Sequence, residues 1–268
     1  MKRLIGLLFL LIMLVGCVPS KEADIITTMF VQYDISKQIV KDKMSVSLLI
    51  TPGSEVHGYQ PSSRDIEAIK RAKLFLYTSL ELDTWIKNPS ALGGEDTVIV
   101  DLSKEYCLIP HDHGDHDNDK LSTPLSFSTL IDDDHDHDHD QEELHYWTDA
   151  TNVMQLIDAI AGYIIDIDPE NEEFYRENAD KYRQEVEQVH IDLDEYFGHT
   201  NQGKTIYFAG HNAMSGFANR YHIEIISLQD SYQPDADITS VQIQEMIKQI
   251  KTANTNYLFI EELKEPRV

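Results

Sequence analysis

Residues 25–50 read IITTMFVQYDISKQIVKDKMSVSLLI, and this stretch decides the fold class. Its first six residues form an apolar run that predicts a buried strand, and the spacing of Ile35 and Ile39 predicts a helix after it. Its last five residues form a second apolar run. The stretch therefore predicts a strand–helix–strand unit, which is typical of a parallel sheet wrapped by helices.

The same alternation continues along the rest of the chain. Further short strands are predicted at 74–77, 98–100, 205–209, 223–227 and 257–260, and further helices at 213–220 and 241–251. Between the two sets lies a helical segment that Pro169 interrupts. We therefore predict an α/β fold of two lobes, each a parallel sheet wrapped by helices, joined by a long linking helix. The predicted boundaries are 18–148 for the N-terminal lobe, 149–200 for the linking helical segment and 201–268 for the C-terminal lobe.

Residues 1–17 predict an export signal. Lys2 and Arg3 precede an apolar run that is too short for a bilayer, which needs about 20 apolar residues, so we interpret it as a signal peptide. The sequence LVGC that ends at Cys17 resembles the lipobox of bacterial lipoproteins, in which the cysteine is lipidated. An ordinary signal peptide with an incidental cysteine is the alternative. A lipid would hold the protein on the outer face of the cell membrane, in the extracytoplasmic space, without spanning it.

The composition restricts the partners and the source of stability. A formal net charge of -25 argues against nucleic acid, because phosphate contacts need Lys and Arg, and it is compatible with a cationic solute. The chain has 2 cysteines, so a lipid on Cys17 leaves Cys107 without a partner for an internal disulfide. Stability is then expected from a hydrophobic core, for which 268 residues with 41% hydrophobic content suffice.

Residues 111–143 are rich in His and Asp and lack periodic hydrophobic residues. Such a tract buries too little apolar surface to offset its chain entropy, so we predict a mobile loop. Its histidines predict an accessory metal loop that gathers zinc, and a solvated acidic linker is the alternative. Because a mobile loop loses entropy when it binds, its affinity should be below that of a preformed cleft. The six histidines are His111, His113, His116, His135, His137 and His139.

Three other histidines are the candidate metal ligands. His57 and His211 follow predicted strands, one in each lobe, and His145 follows the acidic tract. Ligands of open parallel sheets bind beyond the carboxyl ends of the strands. Three neutral imidazoles suit zinc and leave one tetrahedral position for a carboxylate or water. Spacing alone is a weak signal, since a single histidine is more often structural.

The residues around these histidines resemble the ligand motifs of the zinc and manganese solute-binding proteins of ABC importers. Residues 51–62 (TPGSEVHGYQPS) are similar to the first motif, and residues 145–149 (HYWTD) to the second. Residues 209–214 (AGHNAM), with 221–223 (YHI), are similar to the third. The His/Asp tract resembles the metal-binding loop of the zinc-selective members. The resemblance extends from about residue 25 to residue 268.

The resemblance implies a rigid linking helix and a cleft in which His57, His145 and His211 hold the ion. It also implies delivery to a membrane permease that a separate ATPase powers, and this chain has no Walker-type loop of its own. A monomer is expected. The fourth, acidic ligand of the family lies beyond residue 268, so we expect a truncated C-terminal lobe. The family pattern does not assign that role to Glu261 or Glu262.

Three imidazoles and a His-rich loop favour zinc over manganese, which prefers oxygen ligands. Two other functions stay open at this point. A zinc-dependent hydrolase would need a general base beside a metal-bound water, and no Glu stands at helical spacing from a pair of ligands. A surface zinc buffer or adhesin would act through the His/Asp tract. The remaining histidines, His190, His199 and His222, are expected on the surface or in packing contacts.

Overall fold

The computed structural model describes residues 22–54, 56–106, 144–200, 205–229, 238–255 and 257–260. The predictions for the signal peptide, for Cys17 and for the tract at 111–143 concern residues outside these ranges. Within the described ranges, none of the helices combines the length and the apolar character needed to cross a membrane.

The first sheet contains four parallel strands in the order β2-β1-β3-β4. β1 and β3 are buried along their whole length, as central parallel strands covered on both faces are. The strands are β1 (Ile25–Thr27), β2 (Val46–Leu48), β3 (Leu74–Tyr77) and β4 (Val98–Asp101).

Alternation along β1 and β3 divides the core of this lobe into two halves. Ile25 and Leu74 face one half, where helix α1 (Phe30–Val40) packs. Ile26 and Phe75 face the other half, where helix α2 (Ser63–Arg71) packs. Because successive side chains of a strand point to opposite faces, a short apolar run covers both.

Helix α3 (Ala150–Ile167) completes the first half of this core. Leu156, Ile160 and Ile164 repeat every four residues and are fully buried. The helix ends before Pro169, and the 29-residue helix α4 (Glu172–Thr200) follows. The helical segment predicted at 149–200 thus contains two helices, of which α3 packs within the first lobe.

The second sheet contains three parallel strands in the order β6-β5-β7. They are β5 (Thr205–His211), β6 (Glu224–Gln229) and β7 (Phe259–Ile260). Helices α5 (Ser215–Arg220) and α6 (Ser240–Thr252) accompany them. The C-terminal half of α4 reaches this lobe, where the Phe197 ring lies 5.7 Å from the Tyr221 ring. The prediction of two α/β lobes linked by a long helix is confirmed.

The ends of several predicted strands differ from the structure, and two of these differences concern β1 and β5. The predicted strand at 25–30 ends at Thr27, because the Met29 N–H donates to the side chain of Gln32 at 2.8 Å and a helix begins at Phe30. The predicted strand at 205–209 extends to His211, which pairs with Gln229 of β6. His211 is therefore the last residue of its strand and does not follow it.

Candidate metal centre

His145 is held by the residues that follow it. It is buried and precedes a single helical turn at Tyr146–Thr148 that leads into α3. The buried Tyr146 hydroxyl donates to the Thr78 carbonyl at 3.0 Å, just after β3, and Asn152 donates to the Tyr146 carbonyl at 3.0 Å. These two bonds fix the His145 backbone against the first lobe.

His57 lies in the loop between β2 and α2 and is half-buried. The end of this loop is fixed where Ser62 caps α2: the Asp65 N–H donates to the Ser62 hydroxyl, and the Ser62 N–H donates to the Asp65 carboxylate at 2.8 Å. The Tyr59 hydroxyl donates to the same carboxylate at 3.2 Å, and its ring meets Trp85 edge to face. Tyr59 thus packs the loop onto the first lobe.

The three histidines converge although they come from distant parts of the chain. The ring of His57 lies 5.9 Å from that of His145 and 5.3 Å from that of His211, and the last two rings are 5.3 Å apart. One nitrogen from each ring lies within 4.8 Å of the others. Among the described residues, this trio is the one group of three or more His, Cys, Asp or Glu placed to hold an ion.

The spacing of the trio and the protonation of His145 suit a metal such as zinc. Zinc–nitrogen bonds of about 2.0–2.1 Å in a tetrahedron place ligand nitrogens about 3.3 Å apart, so a small inward movement completes the contact. Burial, together with the neighbouring His211 and His57, lowers the pKa of His145 to about 4. The His145 imidazole is therefore neutral at neutral pH, as ligation requires.

The other histidines either lie away from the trio or fall outside the residues that the structure describes. His190 Nδ1 lies 3.1 Å from the Tyr221 hydroxyl, a packing contact between α4 and the second lobe. His222 follows α5 with a positive φ of 53°. The side chain of His199, the six histidines of the tract, Glu261 and Glu262 all lie outside the described residues. The Trp147 ring packs edge-on against His145 at 5.4 Å.

Two charged features of the structure were not predicted from the sequence. Asp83 is buried, and its carboxylate accepts from the Thr78 N–H at 2.7 Å and the Thr28 hydroxyl at 3.3 Å. Burial raises the pKa of Asp83 to about 6. Asp149 forms an ion pair of 2.7 Å with Arg220. Asp149 could have been predicted as an N-cap, because it is a polar residue just before a helical pattern. Nothing in the sequence around Arg220 indicates that it pairs with Asp149.

Comparison with known proteins places the chain in a family. Residues 25–268 match the family model of zinc-uptake complex component A, periplasmic (ZnuA). The chain is 27% identical over 260 residues to the high-affinity zinc uptake system protein ZnuA of Bacillus subtilis, covering 94% of this chain and 76% of that protein. It is 25% identical over 257 residues to the zinc-binding lipoprotein AdcA of Streptococcus pneumoniae, covering 93% of this chain and 48% of that protein.

Among solved structures, the AdcAII protein of Streptococcus pneumoniae superposes with a TM-score of 0.70 at 20% identity, covering 93% of this chain and 83% of that one. This likeness supports the two-lobe fold. The chain spans about three quarters of the Bacillus protein and about half of the AdcA protein. Because the family model matches the chain from β1 to its last residue, this protein belongs to the family of the periplasmic component A of zinc-uptake complexes.

Proposed function

We propose that this protein captures zinc outside the cytoplasm, through His57, His145 and His211, and delivers it to the permease of an ABC importer powered by a separate ATPase. The observation that carries the proposal is the convergence of three imidazoles from both lobes, with nitrogens within 4.8 Å. Capture then needs affinity and a small closing motion, an equilibrium that the metal biases through its contacts.

Zinc is the cargo that this ligand set favours. Imidazole nitrogens suit zinc, whereas manganese prefers carboxylate, carbonyl and water oxygens. Two relatives are named for zinc, the uptake protein of Bacillus subtilis and the lipoprotein of Streptococcus pneumoniae. The trio leaves one tetrahedral position for a carboxylate or water. In a competition titration we expect zinc to displace manganese, and a preference for manganese would contradict this assignment.

We further propose that Cys17 carries a lipid and that the protein works as a monomer on the outer face of the membrane. The lipobox-like sequence that ends at Cys17 supports the anchor, as does the name of the lipoprotein relative. Metabolic labelling with a radioactive or clickable fatty acid is expected to mark the full chain. Loss of the label in Cys17→Ser would support the proposal, and labelling that persists in the variant would contradict it.

The test of the site is zinc stoichiometry and affinity by competition with a chelator. The wild type is expected to bind one tight equivalent, and His211→Ala should weaken it by more than about 100-fold, since losing only an outer partner of a ligand costs 10–100-fold. His222→Asn is the matched control, because Asn tolerates the positive φ at that position. A tight equivalent that survives in His211→Ala would contradict the proposal.

Deletion of residues 111–139 separates the cleft from the His/Asp tract. If one tight equivalent remains after the deletion and still depends on His211, the cleft is the transport site and the tract is accessory. If all tight binding disappears, the tract is the function and the protein is a surface zinc buffer. The hydrolase alternative is wrong, because the family is a binding component of an uptake complex and not an enzyme.

A further inference from the structure

Helix α5 of the second lobe docks on the segment that carries His145. Arg220 at the end of α5 donates through Nε to Asp149 Oδ2 at 2.8 Å, and its Nη2 lies 2.7 Å from the same oxygen. Nη2 also donates to the Thr151 hydroxyl at 2.6 Å. The side chains of Arg220 and Asp149 are only 19% and 9% exposed. This is therefore a largely buried ion pair that joins residues 71 positions apart.

A second contact joins the same two segments through Thr148. The Phe217 N–H of α5 donates to the Thr148 hydroxyl at 3.2 Å, and that hydroxyl lies 2.9 Å from the His145 carbonyl. Gly216 makes this approach possible, because a Cβ at this position would lie 2.8 Å from the Thr148 hydroxyl oxygen. The α5 backbone thus rests against the turn that follows His145.

Short connections tie both partners of the ion pair to the candidate ligands. Asp149 stands four residues after His145, across a single helical turn. α5 begins four residues after His211, and the Ala213 N–H donates to the His211 carbonyl at 2.9 Å. A movement of α5 against the turn therefore changes the separation of His211 and His145.

We propose that the Asp149–Arg220 ion pair is a latch that positions His211 against His145 and slows the release of zinc. This inference rests on the proposed function of the trio. To separate the two histidines, the second lobe must break the pair and leave two charges partly desolvated without a partner, which is strongly unfavourable. Arg220 and Asp149 are positioning residues, since neither belongs to the trio itself. Lys is expected to replace Arg220 poorly, because it lacks the planar fork that bonds Asp149 and Thr151 together.

The test is the rate of zinc release to an excess of chelator, followed by stopped flow on the whole chain. Arg220→Gln and Asp149→Asn are expected to release zinc about five- to fiftyfold faster than the wild type, within the range of about 5- to 150-fold that is usual for coupling between sites. Asn keeps the N-cap of α3, so helix α3 is retained in the second variant. The double variant should be no faster than either single variant, because both lose the same interaction. Arg183→Gln is the matched control, since Arg183 pairs with Asp158 on the surface.

Gly216→Ala tests the latch without removing a charge. Its methyl group must displace the Thr148 hydroxyl and push α5 away, so zinc release should accelerate as in Arg220→Gln. Release at the wild-type rate in Arg220→Gln, Asp149→Asn and Gly216→Ala would overturn the proposal. A purely structural role would lower the melting temperature of the zinc-free protein without changing the rate of release.

A zinc-independent readout separates this inference from the proposed function. Amide hydrogen exchange of Phe217 in the zinc-free protein is expected to accelerate in Arg220→Gln and stay unchanged in Arg183→Gln. If the wild type binds no zinc at the trio, the proposed function fails while the exchange result still decides whether the latch exists. Unchanged exchange of Phe217 in Arg220→Gln would refute the latch.

Discussion

The two lobes differ in how much apolar surface they bury. In the first lobe, Ile160 belongs to a large core of fully buried side chains from β1, β3, α1 and α3. In the described part of the second lobe, the buried core is Tyr207, Leu228 and Met246, with half-buried neighbours around it. Because burial of apolar surface is the main favourable term in folding, the first lobe carries most of the stability.

The candidate ligands are divided between the more stable and the less stable lobe. His57 and His145 stand on the first lobe, where Tyr59 and Tyr146 hold their segments. His211 stands on the second lobe, which contributes a single ligand to the trio. A stable lobe thus presents two imidazoles in place, and a less stable lobe brings the third. Elements that move are drawn from the less stable part of a structure.

Removal of a core side chain should show the largest difference in stability between the two lobes. Ile160→Ala in the first lobe is expected to lower the free energy of unfolding by about 2–5 kcal/mol, because it leaves a cavity among fully buried neighbours. Met246→Ala in the second lobe should fall near the lower end of that range, since half-open surroundings relax into the space. Chemical denaturation measures both. Ile191→Ala is the control, because Ile191 is 50% exposed on α4. A larger loss for Met246→Ala would reverse the comparison.

Asp83 makes the stability of the first lobe depend on pH. Its pKa is raised from 3.8 to about 6 in the folded state, so the folded protein holds the proton more tightly than the unfolded chain. Its contribution is present below about pH 4 and is lost as pH rises to about 6, by at most about 3 kcal/mol.

Asp83→Asn removes this titration and keeps an oxygen that accepts from Thr78 and Thr28. We expect the stability of the wild type relative to Asp83→Asn to fall as pH rises from 4 to 6, measured by urea denaturation at a series of pH values. Asp166→Asn, at an exposed position of α3, controls for the loss of a surface charge. A constant difference between wild type and Asp83→Asn across this range would refute the raised pKa.

Zinc should act mainly on the second lobe. At free zinc 100 times the dissociation constant, binding stabilises the bound form by about 2.7 kcal/mol. Amides of β5 and α5 that exchange when the second lobe opens are therefore expected to exchange about 100-fold more slowly. Amides at the C-terminal end of α1 around Val40, in the first lobe, should be unaffected. Equal protection at both places would show that zinc stabilises the two lobes alike.

Removal of a helix cap should show the smallest difference in stability between the two lobes. Ser62 caps α2 in the first lobe and Thr239 caps α6 in the second, each with a reciprocal side-chain bond. Ser62→Ala and Thr239→Ala are each expected to cost about 1 kcal/mol in thermal or chemical denaturation. Thr252→Ala, at the end of α6, is the control for a threonine away from the cap. No loss in Thr239→Ala would mean that α6 adds little to the stability of its lobe.

The strands were predictable from the sequence because short apolar runs are typical of buried strands. The exact end of β1 was not predictable, because Thr28 and Met29 continue the run. The helix begins just after them, where the Met29 N–H donates to the Gln32 side chain. The three histidines were found through their neighbours in the sequence, and their binding of metal remains a prediction. The Asp149–Arg220 pair was not predictable, since its partners meet only when the two lobes are assembled.

Helix α4 packs against both lobes and connects them. Its N-terminal part packs in the first-lobe core as far as Val186. The second lobe contacts α4 at His190 and again at Phe197, which stands 11 residues beyond Val186. At 1.5 Å per residue Phe197 lies about 16 Å beyond Val186, so a tilt of α4 by about 5° at Val186 moves Phe197 by about 1.4 Å. Such a displacement exceeds the tolerance of a metal–nitrogen bond, which is about 0.2 Å. Under the proposed function, a small change in the tilt of α4 would therefore alter how well His211 meets the ion.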